Sequence, residues 1–259
     1  MSGICRVLVL GGTAEARELA AAVAARFGER IELIVSLAGR TRAPAAYAGA
    51  IRVGGFGGTE GLAEYLRCER IDLLIDATHP FAAAISGHAR AAAARTGVRL
   101  LTLARPEWQP GPDDRWTVVP DAEAAAETVQ SFGDRVFLTF GGREIDAFAA
   151  LSGKWFLVRR IEMPERPLPL GRYEICLGRG PFSLEHERTL LRDYRIDVLV
   201  TKASGGAATG AKLEAARELG LPVIMIRRPG NAAAANVSTV EDAIRWVVAA
   251  VAGKPWIDP

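Results

Sequence analysis

Short apolar runs alternate along this chain with longer stretches in which alanine, leucine and valine recur among charged residues. Arg6–Leu10, Ile31–Leu37, Ala50–Val53, Ile71–Asp76 and Val98–Ala104 are apolar runs of strand length. Between them, Thr13–Phe27, Thr59–Arg67 and Ala82–Arg95 carry helix-like patterning, the last stopped at Gly97. Strand-length runs separated by helices predict βαβ units and a parallel sheet.

The pattern then repeats. Ile71-Asp72-Leu73-Leu74-Ile75 has a counterpart in Ile196-Asp197-Val198-Leu199-Val200, and Arg6–Gly12 resembles Arg135–Gly142, each ending in Gly-Gly. The stretch from Ala94 to Leu101 resembles that from Glu218 to Ile224, and both continue into Arg-Pro, at Arg105-Pro106 and Arg228-Pro229. Trp116–Val129, a strand followed by a helix, is echoed by Asn236–Ala249. Four matches in one order predict an internal duplication. The expected architecture is α/β, with two Rossmann-like parallel-sheet domains, residues 1–132 and 133–259, and a ligand cleft between them. Pro164, Pro167 and Pro169 mark a loop inside the second half.

Composition narrows the class. The chain has 259 residues, 49% of them hydrophobic, and a net charge of +2, which excludes global disorder. No apolar run approaches the roughly 20 residues a membrane helix needs, and the first residues lack a signal-peptide layout. Cys5, Cys68 and Cys176 are widely spaced, and no His/Cys/Asp/Glu cluster has metal spacing, so neither a disulfide framework nor a metal site is indicated. A soluble cytoplasmic protein is expected, without a membrane partner. Residues 1–132 hold 14 Arg and no Lys against 15 acids, whereas residues 133–259 hold 18 basic residues against 15 acids. The basic excess lies partly in 154–179 and suits a polyanionic small molecule. A pI near 8.5 falls short of a nucleic-acid footprint, so no nucleic-acid partner is expected.

The candidate chemistry sits at strand ends, where open α/β sheets bind ligands. Leu8-Val9-Leu10-Gly11-Gly12-Thr13-Ala14-Glu15-Ala16-Arg17 has the spacing of a GxGxxG turn, with Thr13 and Ala16 in the second and third glycine places. Such a turn offers backbone N–H groups and a helix N-terminus to a diphosphate, and Thr13 retains a hydroxyl able to reach it. The second strand ends in Ser36, followed by Arg40, Thr41 and Arg42, with no acid to grip a ribose 2′-OH. With Arg17 nearby, these residues predict a dianion pocket and NADPH rather than NADH. The Gly54-Gly55-Phe56 turn admits a flat group, and Asp76-Ala77-Thr78-His79 places an acid, a hydroxyl and an imidazole at another tip. In the second half Arg143 follows Gly141-Gly142, and Lys202-Ala203-Ser204-Gly205-Gly206 suits a carboxylate. His88 and His186 fall in helix-like segments and read as surface residues.

Five ordered blocks then resemble one family. They are Leu10–Arg17, Gly54–Phe56, Asp76–Ala82, Gly178-Arg179-Gly180-Pro181-Phe182-Ser183 with Glu185 and Glu187, and Thr201–Gly206. Together they are similar to the precorrin-6A reductases of cobalamin (vitamin B12) biosynthesis. The resemblance implies NADPH-dependent reduction of a macrocycle double bond in precorrin-6A to give precorrin-6B. It also implies that the two domains can exchange a strand. Arg143, Arg179, Lys202, Ser204, Gly205 and Gly206 would then hold the substrate's carboxylates. The nicotinamide would lie near Gly54–Phe56 and Thr78–His79. His79 is the first candidate proton donor, because its ordinary pKa is near 6.5; Asp76 is the second, and solvent the third.

Three other functions compete. They are a cobalt-precorrin-6A reductase, a general NADP-dependent reductase (though no Tyr-x-x-x-Lys pair is present), and a non-catalytic nucleotide-binding module. Transient contact with other cobalamin-pathway enzymes is expected, because reactive precorrins are best handed on directly.

Overall fold

The computed structural model describes residues 4–39, 46–206, 209–229 and 235–253. In chain order the elements are β1 (Cys5–Leu10), α1 (Ala14–Phe27), β2 (Ile31–Leu37), β3 (Ala50–Val53), α2 (Gly58–Cys68), β4 (Leu73–Asp76), α3 (Ala83–Thr96) and β5 (Arg99–Leu103). There follow β6 (Trp116–Val119), α4 (Ala122–Val129), β7 (Arg135–Leu138), β8 (Trp155–Arg160), β9 (Tyr173–Leu177) and α5 (Leu184–Asp193). The last are β10 (Val198–Lys202), α6 (Ala211–Glu218), β11 (Val223–Ile226), β12 (Ala235–Val237) and α7 (Val240–Val251).

The strands form two six-stranded parallel sheets, β3-β2-β1-β4-β5-β12 and β9-β8-β7-β10-β11-β6. Each reads in dinucleotide-fold order, reversing direction between its first and fourth strands. Chain contacts divide the protein into one unit of residues 1–105 plus 230–259 and another of 106–229. The linear division at 132 and 133 is therefore corrected. Strand β6 leaves the first sheet's sequence and pairs in parallel with β11, Trp116 opposite Val223. Strand β12 returns to pair with β5, Asn236 opposite Thr102. The sixth strand and its helix have changed places between the sheets, as the resemblance implied.

In the first unit, Val7 and Val9 of β1 turn to a cluster with α1 and α7 that includes Leu19, Val23 and Trp246. Leu8 and Leu10 turn to the other face, against Leu62, Leu66 and Ala89 of α2 and α3. Burial on both faces is why the strands read as continuous apolar runs rather than alternations. In the second unit, the connection from β8 to β9 is the proline-bearing segment 161–172, which forms neither helix nor strand.

The duplication is atomic in detail. The Asp72 carboxylate accepts the Arg6 N–H at 2.8 Å, and the Asp197 carboxylate accepts the Arg135 N–H at 2.8 Å. The residue two before each aspartate, Arg70 or Arg195, adopts a left-handed conformation, with φ of 49° and 46°. These are the only non-glycine residues with positive φ among the described residues.

Candidate functional site

Because both sheets are parallel, each gathers the C-terminal ends of its strands along one edge. In the first unit that edge carries the glycine turn after β1, the ends of β2 and β3, and the Asp76–His79 tip of β4. Gly12 adopts φ 114°, a conformation a side chain resists, and the 14-residue α1 begins two residues later. Thr13 caps α1 by accepting the Ala16 N–H at 3.0 Å, and its hydroxyl donates to the Ala77 carbonyl at 2.8 Å. It thereby ties the turn to the end of β4 across the point where the sheet order reverses. The Thr13 hydroxyl is thus committed within the protein, which leaves only the backbone of this residue for the phosphate contact expected from the sequence. Arg17 is exposed one turn into α1.

Tyr47, which sequence reasoning missed, lies over this turn. Its hydroxyl accepts the Gly12 N–H at 3.2 Å and donates to the Thr13 carbonyl at 3.3 Å. The Gly12 amide, expected from the sequence to face a diphosphate, is thus held by a phenolic oxygen. Arg40, Thr41 and Arg42 lie outside the described residues. Ser36 is buried at the end of β2 and paired in register with Arg52 of β3. A Cβ on Gly61 would collide with the Phe56 carbonyl, so glycine lets the Gly54–Phe56 turn settle against α2.

The sheet order separates two groups that the sequence placed together around the nicotinamide. Gly54–Phe56 follows β3 and Thr78–His79 follows β4, three strands apart, or about 14 Å at the usual spacing. The turn after β1 lies between them. Asp76 is 3% exposed, and its Oδ1 accepts both the Thr78 N–H at 3.1 Å and the Thr78 hydroxyl at 2.6 Å. Its carboxylate therefore shapes the turn. His79 is exposed, and its Nδ1 accepts the Phe81 N–H at 3.2 Å. His186 is exposed and stacked on Phe182, whereas His88 is half-buried.

The edge of the second unit is cationic. The six-residue 3-10 helix Arg143–Phe148 replaces the long helix at its glycine turn, which leaves the α1 end as the better dipole for a diphosphate. Reading along β9, β8, β7 and β10, the edge presents Arg179, Arg160, Arg143 and Lys202. Arg179 and Arg143 are exposed. Lys202 forms an ion pair with Glu144, a residue the sequence reading did not select, and lies 5.5 Å from the Phe140 ring. Thr139 donates to the Thr201 hydroxyl at 2.8 Å across the reversal point, in parallel with the Thr13–Ala77 tie.

The Ser204-Gly205-Gly206 turn is held from behind. Arg228 donates to the Ala203 carbonyl at 2.7 Å and the Ser204 carbonyl at 2.9 Å, while the Trp108 indole donates to Gly206 at 3.0 Å. A Cβ on Gly205 would meet the Pro106 carbonyl, so only glycine fits there. A cavity of about 750 Å³ beside this turn, lined by Trp108, Trp116 and Leu213, includes Gly206 but none of the other expected substrate residues. Arg159, sandwiched between Phe137 and Phe182, makes a bidentate pair with buried Glu187 at 2.6 and 2.9 Å. Burial pushes the neighbouring Cys176 thiol upward, against the pull of Arg159. Among the described residues no helix is long and apolar enough to cross a membrane, and no His, Cys, Asp and Glu cluster could hold a metal ion.

Two Rossmann-like parallel sheets, one with a glycine turn leading into a long helix and the other with a cationic strand-end edge, define a two-domain α/β protein. Residues 6–248 match the family model described as precorrin-6x reductase CbiJ/CobK, and the chain belongs to that family. It is similar to a precorrin-6A reductase of Rhodococcus erythropolis, at 51% identity over 93% of this chain and 97% of that protein. A cobalt-precorrin-6A reductase of Priestia megaterium is 32% identical over 73% of this chain and 78% of that protein. The solved structure of a CobK precorrin-6A reductase superposes with a TM-score of 0.90 at 44% identity, covering 95% of this chain and 97% of that one.

Proposed function

We propose that this chain catalyses the NADPH-dependent reduction of one double bond of precorrin-6A, giving precorrin-6B in cobalamin biosynthesis. The observation that carries the cofactor half is the β1 turn, where Gly12 N–H is already held by a hydroxyl oxygen at the N-terminus of α1. Gly11, Gly12, Thr13 and Arg17 would hold the diphosphate, and NADPH when bound supplies a hydride. The higher identity to a relative named for precorrin-6A, 51% against 32% for one named for the cobalt form, supports the metal-free substrate.

The chain's own residues bind and orient. Arg143, Arg179, Lys202 and the turn from Ser204 through Gly205 to Gly206 hold the macrocycle's carboxylates, with charge-assisted hydrogen bonds favouring arginine for carboxylate forks. Glu144 holds the Lys202 ammonium in place until a substrate carboxylate competes for it. Thr78 and Asp76 fix the turn that carries His79, and His79, once protonated on both ring nitrogens with its Nδ1 turned from the Phe81 N–H, delivers the proton that balances hydride addition and is left as neutral imidazole. Most of the rate enhancement comes from placing the reacting carbons in contact.

The test mixes the protein with NADPH and either precorrin-6A or its cobalt form, and follows loss of NADPH absorbance with the macrocycle spectrum. Oxidation with a matching two-electron change, faster on precorrin-6A, is expected. NADPH binding without oxidation would favour a non-catalytic binding module. Removing a general acid costs about 10²- to 10⁴-fold, so H79A should lower kcat by that order with little change in NADPH affinity. Near-normal turnover of H79A at saturating substrate would remove His79 from that role and leave Asp76 or solvent as the donor.

A further inference from the structure

We propose that Arg52 selects a 2′-phosphorylated adenosine, so that the β2–β3 end of the first edge is the specificity subsite for the cofactor. The proposal rests on the nicotinamide-dinucleotide reading above.

Three observations place it there. A diphosphate at the β1 turn leaves the adenosine half to run toward β2 and β3 and the other half toward β4. Ser36 and Arg52 are register partners, so both lie at the same level of that edge. The end of β2 reads Ser36-Leu37-Ala38-Gly39, without a carboxylate to grip a bare ribose hydroxyl or repel a phosphate.

The guanidinium is also built in advance. It stacks 3.8 Å over the Phe56 ring and lies 5.3 Å from that of Tyr65. Nη1 donates to the Gly54 carbonyl at 2.6 Å and to Ser36 Oγ at 3.3 Å, while Nη2 donates to the Gly55 carbonyl at 2.7 Å. No carboxylate among the described residues pairs with it. An arginine has five N–H donors; Nε–H and one hydrogen on Nη2 remain for two phosphate oxygens. A residue that merely braced a glycine turn would need neither the aromatic shelf nor the fork. A fixed guanidinium plane is what bidentate phosphate recognition uses. The aromatic shelf holds that plane, and the Ser36 hydroxyl adds a hydrogen bond beside it. Arg40 and Arg42, the arginines that follow β2 in sequence, are the competing assignment.

Calorimetric titration of the full chain with adenosine 2′,5′-bisphosphate and with 5′-AMP tests the proposal. The unchanged protein should prefer the bisphosphate. Losing a charge-assisted fork should weaken the bisphosphate by about ten- to a hundredfold in R52M, with 5′-AMP moving less than about threefold. R52K, which keeps the charge without the plane, should fall between. Equal weakening of both ligands, an unmoved ratio, or loss of the preference in R40A or R42A alone would overturn it. Should R52M fail to fold by circular dichroism, F56L removes the shelf and leaves the cation. Its ratio should then fall by about three- to tenfold, and an unchanged ratio overturns the assignment. Failure of the unchanged protein to bind either nicotinamide dinucleotide would overturn the functional reading with it. Preference for NADPH with an unmoved R52M ratio would overturn this inference alone.

Discussion

At the scale of single residues, the sequence displayed the groups at strand ends but not the groups that hold them. Glycines, His79 and Lys202 stand at tips that apolar periodicity locates. Tyr47, Arg52 and Glu144 were missed because their importance lies in whom they meet across the fold. Arg159 and Glu187 are the sharpest case, 28 residues apart and joined by a bidentate pair with the glutamate 2% exposed. Breaking a buried pair by removing one partner's charge costs about 3 to 5 kcal/mol. E187Q should therefore lower stability by about that much, because a buried guanidinium stays uncompensated. Replacing both residues by methionine should cost less than R159M or E187M alone, since apolar groups of similar volume need no partner. Chemical denaturation of the four proteins of this cycle measures it, and additive losses would show that the two residues act separately. The pair lies against Phe182 and so braces the Gly178–Ser183 loop that presents Arg179.

At the scale of elements, periodicity was legible wherever packing on both faces decides the structure. Strands β2 and β3 begin and end where the apolar pattern does. Strand β4 begins at Leu73 rather than Ile71, because Ile71 N–H closes onto the Leu66 carbonyl and the Asp72 carboxylate takes the Arg6 amide. The second glycine turn leads only into a short 3-10 helix, and Gly153 stands five residues beyond it. Thr13 joins two elements, as the cap of α1 and the tie to the residue after β4. Removing an N-cap costs about 0.5 to 2 kcal/mol, so T13A should lose about that amount and T13S should lose little. A loosened turn also presents its amides less well, so T13A should weaken NADPH binding where T13S does not. Thermal melts and NADPH titration of both variants check this; equal behaviour of the two would assign the position to packing alone.

At the scale of the molecule, the sequence showed the duplication but not which sheet each closing strand joins. Local pattern marks Trp116–Val119 as a strand, yet its sheet is decided by the edge it meets, and that edge is β11, more than 100 residues onward. A boundary at 132 therefore looks natural in sequence while assigning β6–α4 and β12–α7 to the wrong sheets. The exchange has a consequence that a simple tandem lacks. Cutting between α4 and β7 gives fragments 1–132 and 133–259, and each carries the sixth strand and helix of the other's sheet. Alone, fragment 1–132 lacks α7, whose Ala243, Trp246 and Val247 fill one face of its core. Burying a large apolar side chain contributes about 1.5 to 3 kcal/mol, so losing Trp246 and Val247 alone would remove much of a domain's margin of stability. Neither fragment should fold independently. Co-expressed, a tagged 1–132 should carry untagged 133–259 through purification as a one-to-one complex with the far-ultraviolet spectrum of the intact chain. Two fragments that fold and elute separately would mean that the sheets close without the exchange, and the division at 132 and 133 would then be restored.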